Sequence, residues 1–159
     1  MKPFLRFAAI AFVATTTACL ATDDLSDDAI PIESTTFAPA LGVNLAASTK
    51  TEHGAYYRDI TVGTGSTIAT GQSVSVRYTV WLANGTQIDS NLTRPDPLTF
   101  TFGVGGVIRG MDEALIGAKV GGKRQLIIPP SLGYGPYDYG DIPGNSVLVF
   151  TVEVVSASS

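Results

Sequence analysis

Two groups of residues in this 159-residue chain have types and spacings that invite chemistry. Asp89 follows Ile88 at the end of a strand heading into the core. A carboxylate there needs a partner, and Arg94 is the candidate; the plain alternative is an aspartate at a solvent-facing strand end. The second group is the run Val107-Ile108-Arg109-Gly110-Met111-Asp112-Glu113-Ala114-Leu115. Its apolar members, Ile108, Met111 and Leu115, recur at three- and four-residue steps, as in a buried turn entering a short amphipathic helix. Tyr134, Tyr137 and Tyr139 share one later loop and read as a recognition rim or as ordinary surface aromatics. On pattern alone, Tyr78, Ile108, Met111 and Phe150 are core residues.

Other chemistries find little support. His53 is the only histidine and has no catalytic neighbour in sequence. A zinc site would have to be built from carboxylates or the single cysteine, so no metal is expected. There is no phosphate-cradling loop with a lysine, and no serine sits in a nucleophile elbow. Asp112 and Glu113 are adjacent on a helix and point in different directions, which disqualifies them as an acid/base pair. No cofactor is expected. An enzyme made from this chain would work by shape and desolvation.

The elements that must position these groups follow from periodicity. Tyr56 to Thr61 is a first strand, closed by the turn signal Val62-Gly63-Thr64-Gly65. From Ser73 to Ala83, Val74, Val76, Tyr78, Val80 and Leu82 fall on one face of a half-buried strand. Asn84-Gly85 is a hairpin turn returning through Thr86 to Asp89. Residues 91 to 97 form a loop, and Leu98, Phe100 and Phe102 alternate along another strand. The short helix follows, stopped at Gly117. Lys123 to Ile128 is a strand ending at Pro129. Residues 130–146 form a long loop, and such loops are often functional. Val147 to Val155 closes the domain with Leu148, Phe150, Val152 and Val154 inward. The sum is an α+β domain: an antiparallel five- to six-stranded sheet wrapped on one short helix, which must cover the apolar face of the sheet.

The N-terminus has the layout of an export signal. Lys2 and Arg6 precede an apolar stretch from Phe7 to Ala14 that is too short to span a bilayer. Thr15-Thr16-Thr17-Ala18-Cys19 resembles a bacterial lipobox, with Thr16 where leucine is usual. Cys19 would then be lipidated and become the mature N-terminus. Cleavage after Ala18 or Ala21 by an ordinary signal peptidase is the rival reading. One cysteine allows no intrachain disulfide, so stability must come from packing. Loss of residues 1–18 takes the formal charge from −4 to −6, because Lys2 and Arg6 leave with no acid. A negative chain argues against nucleic-acid partners. Residues 19–51 carry Asp23, Asp24, Asp27, Asp28 and Glu33 against Lys50 alone and read as an acidic tether. Within it, Phe37, Leu41, Val43 and Leu45 favour partial docking on the folded domain, residues 52–159.

From about Tyr56 to Val155 the chain resembles the FKBP-type peptidyl-prolyl isomerases. Val76-Arg77-Tyr78-Thr79 is similar to the family strand that carries a pocket tyrosine. Ile88-Asp89-Ser90 resembles its aromatic-Asp-Ser motif, Val107-Ile108-Arg109-Gly110 its pocket edge, Tyr134-Gly135 its Tyr-Gly and Ile142-Pro143 its Ile-Pro. The resemblance implies catalytic roles for Tyr78, Asp89, Ile108 (through its backbone amide), Tyr134 and Phe150. It implies a substrate pocket completed by Ile88, Leu98, Val107, Met111 and Ile142, with Arg94 supporting Asp89. Ile88, Leu98 and Met111 are aliphatic where the family usually has aromatics, which implies a softer pocket floor, reduced activity and weaker binding of macrolide inhibitors such as rapamycin.

The function implied is acceleration of rotation about Xaa-Pro bonds, with no covalent step. The substrates would be unfolded or exported proline-containing polypeptides. The protein would be a monomer, periplasmic or outer-membrane-associated as a lipoprotein, or secreted, and would meet a membrane only through Cys19. The rival hypothesis is a weakly catalytic or non-catalytic module that holds proline segments in the same pocket, as a chaperone does.

Overall fold

The computed structural model describes residues 31–159. The expected signal peptide, the lipidation site at Cys19 and the first part of the expected tether lie outside the described residues. The strands are β1 (Thr49–Lys50), β2 (Tyr56–Thr61), β3 (Ser73–Leu82), β4 (Gln87–Ser90), β5 (Leu98–Thr101), β6 (Lys123–Ile128) and β7 (Leu148–Ser158), and the helix is α1 (Arg109–Ala114). The sheet is antiparallel in the order β1-β2-β6-β7-β3-β4, with β5 on the same edge of β3 as β4. Strand count exceeds the sequence expectation through β1, which lies in the stretch read as tether. The last strand also runs three residues further than expected, to Ser158.

The edge of β3 explains how the site is opened. Its first half, Ser73 to Val76, pairs β5, and its second half, Thr79 to Trp81, pairs β4. Between them the chain leaves the sheet after Ser90 and re-enters at Leu98. Asn91 closes the gap: its Oδ1 accepts from the Tyr78 amide (2.7 Å) and its Nδ2 donates to the Val76 carbonyl (3.0 Å). A buried amide with two such bonds satisfies backbone groups that an interrupted ladder would orphan. The Arg77 guanidinium holds the loop outside, donating to the carbonyls of Asn91, Arg94 and Pro95 at 2.7–2.9 Å.

The main core lies between α1 and the inner face of the sheet, where Val74, Val76, Leu115, Leu126, Ile128, Leu148 and Val152 are fully buried. The helix sits close to the sheet because Gly110 has no Cβ, which would collide with the Ile128 side chain. Arg124, 5% exposed, fastens the C-terminal end of the helix. It donates to the carbonyls of Ala114 and Ile116 (both 2.9 Å) and makes a two-point pair with Asp59. A buried guanidinium is tolerated when its donors are used in this way, and helix-end carbonyls are natural acceptors.

Residues 31–50 of the acidic stretch are folded against the domain, with Phe37, Leu41, Val43 and Leu45 packed on it. They form a strap of three 3-10 turns, Ile32–Ser34, Pro39–Leu41 and Leu45–Ala47, laid on the outer face of the sheet. Ile32 is buried with Tyr56, Ile127, Val147 and Val149, and Phe37, Leu41, Val43 and Leu45 pack around them. Gln125 Nε2 donates to the Leu41 carbonyl (2.7 Å) and Arg58 to that of Gly42 (3.0 Å). Glu33 accepts from Lys50 (2.6 Å) and from the Tyr56 hydroxyl (2.5 Å). Covered on both faces, five of the six residues of β6 are buried.

Candidate functional site

The inner face keeps one hole. It is a cavity of about 170 Å³ at the end of the core, where the short helix leaves β3, β4 and β7 uncovered. Tyr78 and Phe150 come from neighbouring strands, with ring centroids 6.4 Å apart and planes inclined at 45°. Ile88 and Asp89 come from β4, and Leu98 from the start of β5. Val107, Ile108 and Met111 come from the turn into α1 and its first residues. Tyr134 and Ile142 come from the long loop. Every pocket residue implied by the resemblance lines this cavity, and Arg94 reaches it through Asp89. Val80, which sequence reasoning left out of the site, lines it too; the alternation along β3 places it on the face of Tyr78. Apolar cavities of about 150 Å³ admit a six-membered ring, so a pyrrolidine ring fits this one.

A polar brace runs along one wall. The Tyr78 hydroxyl donates to Asp89 Oδ2 (2.5 Å), Arg94 donates to Oδ1 (2.6 Å), and the Ser90 amide also donates to Oδ1 (2.8 Å). The Tyr78 bond, helped by Ser90 and Arg94 against some desolvation, holds the Asp89 carboxyl below the usual carboxylate range. Burial and the Asp89 charge push the Tyr78 phenol up to about 12. Asp89 is therefore a paired carboxylate at the pocket wall, not the solvated strand-end aspartate of the plain reading.

A second brace holds the opposite edge. Both Asp112 carboxylate oxygens accept backbone amides, from Gly103 and from Gly105, each at 3.0 Å. This pins the glycine turn that delivers Val107 and Ile108. In the sequence Asp112 is only an acid beside Glu113 on a short helix; its grip on the preceding loop depends on how the chain folds back. Ile108 is the N-cap of α1, at φ −59° and ψ 144°, and its carbonyl accepts from the Met111 amide (2.9 Å). Among the described residues nothing accepts from the Ile108 amide or bonds the Tyr134 hydroxyl. Burial, then the nearby Tyr139 and Asp89, push the Tyr134 phenol up, so it stays a hydroxyl.

A larger hollow of about 660 Å³ lies on the outer face, between Arg77, Trp81, Lys123 and Glu153. Its lining mixes these charged side chains with Asp89, Gln87 and several hydroxyls, which makes it a poor place for a ring that must leave water. Among the described residues no three histidine, cysteine, aspartate or glutamate side chains converge as metal ligands, and no helix is long and apolar enough to cross a membrane.

Fold and site together define a small α+β domain whose sheet and helix hold an apolar hole braced by a tyrosine–carboxylate–guanidinium chain. The chain belongs to the FKBP-type peptidyl-prolyl cis-trans isomerases, whose family model matches residues 65–155. It is 47% identical over 103 residues to an FK506-binding protein of Neisseria meningitidis serogroup B, covering 64% of this chain and 94% of that one. It is 48% identical over 111 residues to FK506-binding protein 2 of Dictyostelium discoideum, covering 68% and 80%. Among solved structures, AtFKBP13 superposes with a TM-score of 0.65 at 36% identity, over 70% of this chain and 98% of that chain. FkpA from Escherichia coli gives 0.65 at 37%, over 70% and 52%. The protein is thus a peptidyl-prolyl cis-trans isomerase with an FKBP-like fold.

Proposed function

We propose that the protein accelerates rotation about Xaa-Pro bonds in exported polypeptides by desolvating the amide in the 170 Å³ cavity, without covalent chemistry. Amide resonance sets a rotational barrier of about 18–20 kcal/mol. Prolyl isomers are nearly balanced, yet exchange over tens of seconds or longer. At the transition state the carbonyl is twisted out of conjugation with the proline nitrogen. The twisted amide is less polar than the planar one, so an apolar wall binds it better, and this difference in binding is the catalysis.

The observation that carries this reading is the division of labour among polar groups around the cavity. Tyr78, Asp89 and Arg94 spend their bonds on one another and present an apolar wall with Phe150, Val107 and Met111. The Ile108 amide and Tyr134 hydroxyl keep theirs free for substrate carbonyls. Each tenfold acceleration requires about 1.4 kcal/mol, within reach of two such bonds and a buried ring.

Export and anchoring are part of the proposal. They rest on Lys2, Arg6, the apolar stretch after them and the lipobox-like approach to Cys19. With the strap docked, eleven residues lie between a lipidated Cys19 and Pro31, a leash of at most roughly 40 Å. A lipid there would hold the pocket close to a membrane and bring it to newly exported chains; intact mass of the mature protein tests lipidation.

Ile88, Leu98 and Met111 are the observation that favours the second reading, a pocket that holds proline segments with little turnover. A protease-coupled assay on a proline tetrapeptide decides. Turnover by the wild type that falls about 10- to 100-fold in Asp89→Ala supports catalysis, and saturable peptide binding without turnover supports the holding module.

A further inference from the structure

One aromatic ring beside the pocket does not line the cavity itself. Tyr139 is 63% exposed, yet its ring lies on that of Tyr134, with centroids 4.7 Å apart and planes within 18° of parallel. The contact is built by the backbone. Tyr139 and Ile142 exchange both amide-to-carbonyl bonds across Gly140-Asp141, at 2.8 and 3.0 Å. Gly140 takes φ +57°, as such a tight turn requires. Ile142 is buried in the pocket wall, so one end of the turn is anchored and the other is thereby set over Tyr134. The loop is closed again by Asn145 donating to the Gly135 carbonyl (3.0 Å) and by Asp138 accepting from the Gly144 amide (2.8 Å).

We propose that Tyr139 is a positioning residue for prolyl isomerisation: by stacking on Tyr134 it fixes the direction of the Tyr134 hydroxyl over the cavity. The proposal rests on the isomerase mechanism above and assigns a role that the mechanism leaves empty. No protein atom among the described residues bonds that hydroxyl, so its aim depends on the ring that carries it. A ring free to turn must be ordered when the substrate twists, at a cost in rate. A ring already flattened against Tyr139 meets the substrate carbonyl without that loss. Stacking needs the aromatic face at position 139 and not its hydroxyl.

The test is a double-mutant cycle on a proline tetrapeptide. Tyr139→Ala should lower kcat and kcat/KM together by roughly two- to tenfold, the range of an aromatic pair. Tyr139→Phe keeps the ring and should stay near wild type. Tyr134→Phe removes the hydroxyl; in that background Tyr139→Ala should cost less than about twofold, because there is no longer a hydroxyl to aim. Full additivity of the two changes, an effect confined to KM, or equal losses for Phe and Ala at position 139 would each overturn the proposal. Wild-type protein without turnover would remove the mechanism and the proposal together, whereas normal turnover with an indifferent Tyr139→Ala would remove the proposal alone.

Discussion

The two faces of this sheet solve opposite problems with the same kinds of side chain. Outward, Ile127 and Val149 are sealed by the strap of residues 31–50; inward, at the end of the core, Phe150 and its neighbours surround a vacancy. The direction of the polar bonds separates the two. On the outer face they run from sheet to strap, from Gln125 and Arg58 to strap carbonyls and from Tyr56 to Glu33, and draw the cover down. On the inner face they run within each wall, from Tyr78 and Arg94 to Asp89 and from two glycine amides to Asp112, and hold the walls where they stand. An apolar hole stays open when its walls are fastened to something other than each other. The comparison predicts that strap changes cost stability and spare turnover, while changes to the pocket braces do the reverse.

The largest effect should come from starting the chain at Thr51. That removes Ile32 and the partly buried Phe37, Leu41, Val43 and Leu45 from Ile127 and Val149. A fully buried aliphatic side chain contributes about 1.5–3 kcal/mol, so a loss of roughly 3–5 kcal/mol in urea unfolding is expected, with kcat/KM per folded molecule within about twofold of the full chain. An equally stable truncated protein would show that the strap is dispensable and break the comparison.

Next in size is Asp89→Ala. It leaves the Tyr78 hydroxyl and the Arg94 guanidinium without their shared acceptor. We expect kcat/KM to fall by about 10- to 100-fold, or about 1.4–2.7 kcal/mol in the barrier. Unchanged turnover would show that the brace is ornamental. Because Asp89 is held below the usual carboxylate range and Tyr78 is pushed up to about 12, turnover by the wild type should be flat between roughly pH 5 and 9. Asp89 loses its charge only as pH falls below that window, and Tyr78 its proton only above it.

Local pattern carried the walls of the pocket but not the vacancy between them. Two-residue alternation sets Tyr78 and Phe150 inward on their strands, where they read as core, and Asp89 beside Ile88 calls for a partner; that these side chains surround a hole was implied by the family resemblance. Val80 was legible by the same rule and differs only in lacking a polar atom to draw notice. The strap was legible in its apolar residues but not in its path, because 3-10 turns give neither a helical nor a strand period. Its acidic composition also hid that Glu33 is folded against Lys50 and Tyr56. Asp112 and Tyr139 act through contacts that cross a turn, which single-residue patterns do not encode.

A change at the pocket floor sharpens the comparison. Met111 is 4% exposed and packs both the core and the cavity. Methionine fills space without defining it. Met111→Trp should give a flatter, stiffer floor, with kcat/KM raised by a few-fold and a macrolide ligand bound more tightly. Overpacking would cost about 1–3 kcal/mol of stability. The gain in turnover at a loss in stability is the signature to seek, and a slower tryptophan variant would show that Met111 does not weaken the site.

The smallest effect tests whether the two faces are independent. Lys50 first, and then the Tyr56 hydroxyl, hold the Glu33 carboxyl down to about 2 from an ordinary value of 4.5. A carboxyl with a depressed value in the folded state adds stability that is complete above its unfolded value and disappears as pH falls through its folded one. The strap should therefore loosen between pH 4.5 and about 2. Glu33 and Lys50 are each about half exposed, so salt screens their pair and the contribution is small. Glu33→Gln should flatten the acid limb of thermal stability and lower Tm at neutral pH by a few degrees at most, and high salt should reproduce part of that loss in the wild type. Prolyl turnover should not move. If it did, the strap would be reporting through β6 and β7 to Phe150, and the outer face would have to be counted as part of the site.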